Sequence, residues 1–284
     1  MAGLFRSLLF VPGNNPRFLE KSKQLQVDMI CFDLEDSVPD SEKKNARTLI
    51  KDALKERDQY SSDVYVRINS PESGKIEDDL EKILQKGLDG IVIPKVNSAK
   101  ELSKITKILT RLEKKRKVKQ VPILPSIESA QGVVNAYEIA SSKRVSAIVF
   151  GVFDLLNDMG VEYTKQAPGA QYARSKIPVD ATAAGVYAID AIWQDLQDTD
   201  GLKNDCEIGR SLGYVGKSII HPSQVSVAHE IFAPNQAEVE WAKKVCDTYN
   251  ESVNKGKGAT VVDGRMIDEV HFKRAKSLLE IAKK

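Results

Sequence analysis

Short apolar runs alternate along the chain with longer segments that mix charged and apolar residues. Several runs, such as "VYVRIN" and "GIVIPKV", are almost continuously apolar. This pattern predicts strands buried on both faces, as in a parallel sheet. The segments between them, such as "EDDLEKILQKG", have helical composition. The candidate strands are 7–13, 29–36, 63–69, 90–96, 121–128, 146–154, 186–192 and 214–222.

Eight strand-then-helix units predict a (β/α)8 TIM barrel over residues 1–233. A doubly wound open sheet is the alternative. Residues 234–284 form a predicted C-terminal helical extension, in which "KGKGATVVDGR" is interpreted as a flexible excursion without a strand partner. We expect this extension to pack on the barrel or on a neighbouring subunit.

Composition narrows the possible functions. The 284 residues carry a net charge of +2, so no global field favours nucleic acid or anionic membrane. The run "KKRKVK" follows a helix of mixed charge and is interpreted as a solvated helix end. Apolar runs are much shorter than the roughly 20 residues of a membrane span. Three widely spaced cysteines without a CxxC pattern indicate reduced thiols and a cytoplasmic protein: Cys31, Cys206 and Cys246.

Polar residues end nearly every candidate strand. In TIM barrels the loops after the strands build the active site, so these residues are predicted to converge on one polar centre. The alternative is an ordinary polar rim with helix-capping residues. The residues are Gly13, Asn14, Asp33, Glu35, Asp36, Arg67, Asn69, Lys95, Glu128, Asp154, Asp190, His221 and Gln224.

Glu128 and Asp154 end adjacent strands, where two uncompensated carboxylates would repel each other. A divalent cation removes the repulsion, and hard oxygen ligands suit Mg²⁺. We therefore predict that both are metal ligands, with helix capping or salt bridging as the alternative. Asp33, Glu35 and Asp36 could hold metal-bound waters or be structural.

Arg67 lies in an otherwise apolar strand, where its guanidinium could bind a carboxylate or an enolate oxygen. A buried ion pair with the acids after the second strand is the alternative. Lys95 is predicted to bind an anion or form a salt bridge rather than a Schiff base. Arg17, in "VPGNNPR", is a candidate for substrate contact through a phosphate, although the same stretch is also ordinary turn chemistry. Arg6 is a weaker candidate of the same kind as Arg67.

The motifs resemble, in order, those of the citrate lyase β-subunit-like enzymes. These belong with the HpcH/HpaI aldolase group and include malyl-CoA and citramalyl-CoA lyases. The resemblance extends over about residues 6–270. It rests on "RSLLFVPGNNPRFLEKS", "DLEDSVPDSEKKNAR", "VRIN", "IPKV", "IESAQGV", "FGVFDL", "YARS", "LGYVGKSIIHPSQ" and "VDGRMID".

The resemblance implies a TIM barrel in a trimer or hexamer, with a C-terminal extension that reaches a neighbouring subunit. It implies that Glu128 and Asp154 bind Mg²⁺ and that Arg67 faces the substrate. It also implies that Asp268 enters the neighbour's site as an acid or base. The sequence departs from the family pattern after Asp268, where "MIDEVHF" lacks the expected proline.

The expected function is a Mg²⁺-dependent carbon–carbon lyase. It would cleave a short 3-hydroxyacyl thioester, of the citryl-, malyl- or citramalyl-CoA type, into a 2-keto acid and an acyl thioester. The alternatives are a citrate lyase β chain that acts on a carrier-protein thioester, a metal-dependent aldolase that acts on free 2-keto acids, and a non-catalytic binding barrel. The expected partner is the CoA or carrier thioester, without nucleic acid or membrane.

Overall fold

A closed barrel of eight parallel strands forms the body of the molecule. The computed structural model describes residues 5–283. The predicted TIM barrel is confirmed, and the open-sheet alternative is wrong. Each strand lies within a candidate run: β1 (Ser7–Pro12), β2 (Met29–Asp33), β3 (Asp63–Arg67), β4 (Gly90–Ile93), β5 (Ile123–Ile127), β6 (Ala147–Phe150), β7 (Tyr187–Asp190) and β8 (Gly216–Ile219).

Helices follow the strands, and their apolar faces cover the barrel. In the longest barrel helix, Ser98 caps the first turn, and the buried Leu102, Ile105, Leu109 and Leu112 recur at helical spacing. Helix formation is thus directed by one apolar stripe. The barrel helices are α1 (Pro16–Ser22), α2 (Lys43–Lys55), α3 (Ile76–Ile83), α4 (Ala99–Arg116), α5 (Ala130–Val134), α6 (Ala136–Ala140), α7 (Val152–Asp158), α8 (Gln171–Ala184), α9 (Thr199–Leu212) and α10 (Val225–Phe232).

An apolar layer fills the barrel interior. Side chains alternate between the two faces of a strand, so every second residue points inward. The buried interior cluster includes Leu8, Met29, Cys31, Tyr65 and Leu124. The residues two positions further along β2, β3 and β5 therefore face the same interior, nearer the carboxyl end of the strands. This alternation determines which polar side chains can reach the centre of the barrel.

The barrel closes where β8 pairs with β1, through Ser7, Leu8 and Leu9 opposite Lys217, Ser218 and Ile219. Gly216 begins β8 at this seam. A Cβ there would lie 1.7 Å from the carbonyl oxygen of Phe5, so only glycine permits this approach.

The described chain divides into two compact units between Ala228 and His229. The boundary predicted at 233/234 lies nearby in the chain. The second unit contains α11 (Gln236–Asn254), β9 (Ala259–Val262), β10 (Arg265–Asp268) and α12 (Glu269–Ile281). Its own core is formed by Ala242, Val245, Tyr249, Val262, Ile267 and Ala275.

The predicted flexible excursion is wrong, because "ATVVDGRMID" forms an antiparallel hairpin. Asp263 and Gly264 both have positive φ, at 49° and 76°, as a two-residue turn of type I′ requires. Asp-Gly between alternating apolar residues is a recognised hairpin signal, and it was available in the sequence.

Within residues 5–283, no helix combines the length and the apolarity that crossing a bilayer requires.

The barrel seam can be tested with Gly216→Ala. The added methyl collides with backbone rather than with a flexible side chain, so we expect a loss of about 3 kcal/mol in the free energy of unfolding, measured by urea denaturation. Ser218→Ala is the matched control in the same strand, because the buried Ser218 hydroxyl has no hydrogen-bond partner. Equal stability of the two variants would contradict the steric argument.

Candidate active site

Inward-facing polar residues form a second layer above the apolar interior. Asp33 follows Cys31 by two positions, Arg67 follows Tyr65, and Glu128 continues the inward side of β5 after Leu124. With Asp154 they line one cavity of about 300 Å³ at the carboxyl end of the strands. The predicted convergence therefore holds for these four residues.

Arg67 and Asp33 form a two-point ion pair at the bottom of this cavity. The Nε and Nη2 atoms of Arg67 donate to the two carboxylate oxygens of Asp33 at 2.7 and 2.6 Å. Burial alone would raise the pKa of Asp33, but the Arg67 guanidinium and the hydrogen bond from Ser37 hold that pKa below its usual range. Arg67 also lies over the ring of Phe10, 4.7 Å from its centroid.

Arg67 therefore agrees with both sequence-based interpretations, a buried ion pair and a ligand-binding group, because it is paired with Asp33 and still lines the cavity. Its Nη1 atom is 3.3 Å from Oε2 of Glu35, whereas the Asp33 contacts use Nε and Nη2. The carboxylate oxygens of Asp33 accept hydrogen bonds from Arg67, from the Ser37 hydroxyl and from the backbone N–H groups of Glu35 and Ser37. The physical role that this geometry gives Asp33 is to orient Arg67.

Glu128 is a buried carboxylate without a hydrogen bond on one oxygen. It follows β5 directly, only 7% of the residue is exposed, and its Oε2 atom has no partner. Burial raises the pKa of Glu128 to about 7; the Arg67 charge opposes the shift, and the negative charges of Asp154 and Glu35 add to it. Such a carboxylate is poised to accept a further cation.

The prediction that Asp154 ends a strand is wrong. β6 stops at Phe150, and Asp154 is the third residue of α7, whose N-cap is Gly151. Helix capping by Asp154 is therefore wrong as well. A Cβ at Gly151 would lie 2.4 Å from Cγ of Glu128, so this glycine lets the helix start pass close to the Glu128 side chain. The close passage brings both carboxylates to the same cavity.

Lys95 joins the acids of the loop after β2 to Asp154 in α7. Its Nζ lies 2.8 Å from Oε1 of Glu35, 3.0 Å from Oδ2 of Asp36 and 3.6 Å from Oδ1 of Asp154. Its backbone has a φ of 54°, a left-handed conformation that costs a non-glycine residue energy. The predicted salt-bridge role agrees with these contacts. Burial opposes the Lys95 charge, but the hydrogen bonds to Glu35 and Asp36 raise its pKa.

Glu35 and Asp36 differ in environment. Glu35 is buried, which raises its pKa, and its Oε2 atom has no hydrogen-bond partner in spite of the nearby Arg67. The side chain of Asp36 is 60% exposed and pairs with Lys95. Only Glu35 therefore adds a buried, incompletely bonded oxygen to the site.

Charge at this end of the barrel is unbalanced. Among the described residues, five neighbouring carboxylates face three cations, which leaves two negative charges when all are ionised. The groups are Asp33, Glu35, Asp36, Glu128 and Asp154 with Lys43, Arg67 and Lys95.

The donor set fits a hard divalent cation. Glu128 and Asp154 supply two carboxylates, and buried oxygens of Glu128 and Glu35 lack partners. Residues 5–283 contain no cluster of three or more His, Cys, Asp or Glu side chains arranged for a metal. Mg²⁺ is commonly bound by one or two protein carboxylates together with water and substrate oxygens, so Glu128 and Asp154 would be sufficient as protein ligands.

Other predicted site residues lie elsewhere. Arg17 is exposed in the first turn of α1 and does not line the cavity. Asp190 points away from the barrel axis toward Arg174 and Lys217, and His221 caps a short 3-10 turn. Asp268 belongs to the second unit, where it caps α12 and pairs with His271 at 2.7 Å. The His271 contact and the backbone N–H groups lower the pKa of Asp268.

Sequence reasoning missed several residues that shape the site. Lys43 donates to the carbonyl oxygens of Leu34 and Glu35 and fixes the loop after β2. Gly151 permits the approach of α7, and Arg174 joins α8 to the end of β7 through Asp190. Lys43, Gly151 and Arg174 all occur in the motifs that carry the resemblance, "DSEKKNAR", "FGVFDL" and "YARS", which was the available signal.

Fold and site together define a (β/α)8-barrel protein with an acidic, cation-suited centre at the carboxyl end of its strands. The HpcH/HpaI aldolase/citrate lyase family model matches residues 6–222. The chain therefore belongs to this family, which confirms the resemblance seen in the sequence.

Characterised relatives cover nearly the whole chain. A (3S)-malyl-CoA thioesterase of Cereibacter sphaeroides is 35% identical over 97% of this chain and 93% of its own length. Citrate lyase subunit beta of Leuconostoc mesenteroides is 35% identical over 98% of this chain and 93% of its own. The crystal structure of CitE from Mycobacterium tuberculosis, in complex with magnesium, acetoacetate and coenzyme A, has a TM-score of 0.81 and 26% identity over 99% of both chains.

The raised pKa of Glu128 predicts a pH-dependent effect of Glu128→Gln. Because the folded protein holds this proton up to about pH 7, against an ordinary pKa of 4.5, folding stability is lost as pH rises through that window. The variant lacks this loss. Its unfolding free energy relative to wild type should rise by up to about 3 kcal/mol between pH 4.5 and 8.

Urea unfolding at a series of pH values, with a metal chelator present, measures this difference. Glu138→Gln, on the exposed surface of α6, is the control and should give a difference that does not change with pH. If the stability difference between Glu128→Gln and wild type were also independent of pH, the raised pKa of Glu128 would be contradicted.

Proposed function

We propose that this protein is a Mg²⁺-dependent carbon–carbon lyase that cleaves a short 3-hydroxyacyl thioester into a 2-keto acid and an acyl thioester. The observation that carries the proposal is the buried, incompletely bonded Glu128 carboxylate beside Asp154, in one cavity with Arg67. Citrate lyase activity among the relatives and the magnesium and coenzyme A of the CitE complex support it.

Glu128 and Asp154 would hold the cation. When bound, Mg²⁺ supplies Lewis-acid polarisation of substrate oxygens. Glu128 is rigidly placed by burial, whereas the side chain of Asp154 is 42% exposed and can adjust to a ligand. The 3.6 Å contact with Lys95 leaves Asp154 only loosely bound to another cation.

Arg67 would stabilise the negative charge that develops on the thioester. A carboxylate of the cavity takes the proton of the substrate hydroxyl, the carbonyl of the keto acid forms, and the electrons of the broken carbon–carbon bond pass into a thioester enolate. Asp33 fixes two of the nitrogens of Arg67, so the Nη1 side of the guanidinium remains for that oxygen. Preorganised donors of this kind contribute about 3–4 kcal/mol to transition-state stabilisation.

Asp268 of a neighbouring copy of the chain would exchange the proton at the α-carbon of the acyl thioester. Its lowered pKa favours the base role, which removes that proton in the reverse, condensing direction; in cleavage the protonated carboxyl would return it to the enolate. Asp268 and Met266 lie on the same face of β10, and Val261 is opposite Met266 in the hairpin. Val261 is 63% exposed and Met266 61%. A carboxylate beside an exposed apolar pair is suited to docking on protein, and a homo-oligomer is the proposed context.

Three alternatives differ from the proposed lyase in their substrates or in their products. A citrate lyase β chain would need a carrier-protein thioester, and an aldolase would use free 2-keto acids. The name of the Cereibacter relative suggests thioester hydrolysis, which would release free thiol and leave the hydroxy acid intact. Product analysis separates thioester hydrolysis from the proposed lyase, since only cleavage of the carbon–carbon bond gives a keto acid and an intact thioester. The other two alternatives are separated by the substrate that is cleaved: a carrier-protein thioester or a free acid instead of a CoA thioester.

Removal of either proposed ligand should abolish metal-dependent cleavage. We expect Glu128→Gln and Asp154→Asn to weaken Mg²⁺ binding at least about tenfold, measured by calorimetry, because each removes a charged oxygen ligand. Keto-acid release from malyl-, citramalyl- and citryl-CoA should fall with it, while circular dichroism is unchanged. Glu138→Gln is the matched control. Undiminished Mg²⁺ affinity in both ligand variants would reject the assignment.

Subunit exchange tests Asp268. Asp268→Asn and Glu128→Ala should each be inactive, whereas their mixture should regain about a quarter of the activity if chains mix randomly in a closed ring. Asparagine is itself a good helix cap, so Asp268→Asn should preserve α12. The control mixture, Glu128→Ala with Asp154→Asn, carries both lesions in the barrel and should regain nothing. An inactive first mixture, despite demonstrated exchange, would rule out action in trans.

A further inference from the structure

A second cavity, of about 240 Å³, adjoins the cavity that holds Glu128 and Asp154. The two share the side chains of Phe150, Val152 and Ile192 as lining. A ligand held at Glu128 and Asp154 therefore has this second space beside it. None of the groups assigned to the proposed reaction lies in this second cavity except the shared lining.

The loop between α7 and α8 forms one wall of the second cavity, and residues of α8, of the segment after β7 and of α9 form most of the rest. Ala167 has a φ of 39°, and the 3-10 turn Pro168–Ala170 then leads into α8. Of the residues that line this cavity, Ala170 is buried, whereas Gln171 and Ile208 are exposed to solvent. Most of this lining is apolar, and its glutamines present neutral carboxamides.

The charged side chains of this cavity are already neutralised. Arg174 donates to Asp190 at 2.5 and 3.1 Å and to Asp205 at 2.7 Å. Lys217 lies behind them, 2.5 Å from Asp205 and 3.3 Å from Asp190. Two cations thus face two carboxylates, and the cluster has no net charge.

Lys165, at the mouth of the cavity, is also paired. Its Nζ contacts Asp195 at 2.9 Å and Asp198 at 2.6 Å. Neither described cation of this lining, Lys165 or Arg174, is available to a ligand carboxylate without breaking an ion pair. Burial of a carboxylate without a partner cation is costly, so the cavity would reject one.

We infer that the substituent on the carbonyl carbon of the released keto acid is uncharged, of methyl size or larger, and occupies this second cavity. The inference rests on the proposed lyase function and specifies its substrate. A keto acid whose substituent is a carboxymethyl group would place its second carboxylate against the neutral wall. Pyruvate and its longer homologues would place hydrocarbon there.

Cleavage of malyl-, citramalyl- and citryl-CoA by the wild-type protein with Mg²⁺ is the first test. These thioesters release keto acids whose substituents are hydrogen, methyl and carboxymethyl. We expect kcat/KM for citramalyl-CoA to exceed that for citryl-CoA at least about tenfold, the discrimination typical of a pocket that fits or misfits a small group. Preference for citryl-CoA would overturn the inference while leaving the lyase function standing. Cleavage of none would overturn the proposed function and the inference with it.

Two pairs of variants locate the substituent. Ile208→Trp narrows the second cavity and should lower kcat/KM for citramalyl-CoA at least about tenfold more than for malyl-CoA, whereas Ile208→Ala should not. Gln171→Lys adds an unpaired cation and should raise the relative kcat/KM for citryl-CoA, whereas Gln171→Leu should not. An equal effect of Ile208→Trp on all three thioesters would show that the cavity holds a part common to them, such as the thioester arm, and would overturn the inference.

Discussion

A buried carboxylate must find a positive charge, and that requirement organises the catalytic end of this barrel. Glu128 is enclosed by side chains yet has an oxygen without a hydrogen bond. The nearest guanidinium, Arg67, is held by Asp33. The negative charge of the Glu128 carboxylate is therefore only partly neutralised by the surrounding protein. A divalent cation is the group whose charge and ligand preference complete the neutralisation.

The two cationic side chains of the site, Arg67 and Lys95, differ in how firmly their partners hold them. Arg67 is fixed by two short hydrogen bonds, whereas Lys95 is shared among three carboxylates, two from the loop after β2 and one from α7. The fixed group suits recognition of an oxyanion, since its geometry does not depend on ligand binding. The shared group balances the loop acids at the cost of a strained backbone at Lys95. Together they allow a dense set of acids to exist at the mouth of the barrel.

In the proposed reaction, the two cavities would divide substrate recognition between charge and shape. The first contains Asp154 and the unbalanced acids, and the second contains cations that their own carboxylates neutralise. A substrate that spans both would be held by its oxygens at one end and selected by the size and charge of its substituent at the other. This division lets the loop between α7 and α8 change specificity without touching the groups that do the chemistry.

The sequence by itself determined the barrel and much of its site. Eight apolar runs predicted the strands, because parallel strands buried on both faces have no polar alternation, and Glu128 and Arg67 stood out as charges within such runs. It did not determine the pairing of Arg67 with Asp33, the position of Asp154 in a helix, or the hairpin at Asp263 and Gly264, whose turn signal was overlooked. Only the tertiary structure decided which charges neutralise one another, because ion pairing depends on distances between residues far apart in the chain. For the same reason the sequence does not show that Lys165 pairs with Asp195 or that Arg174 pairs with Asp190.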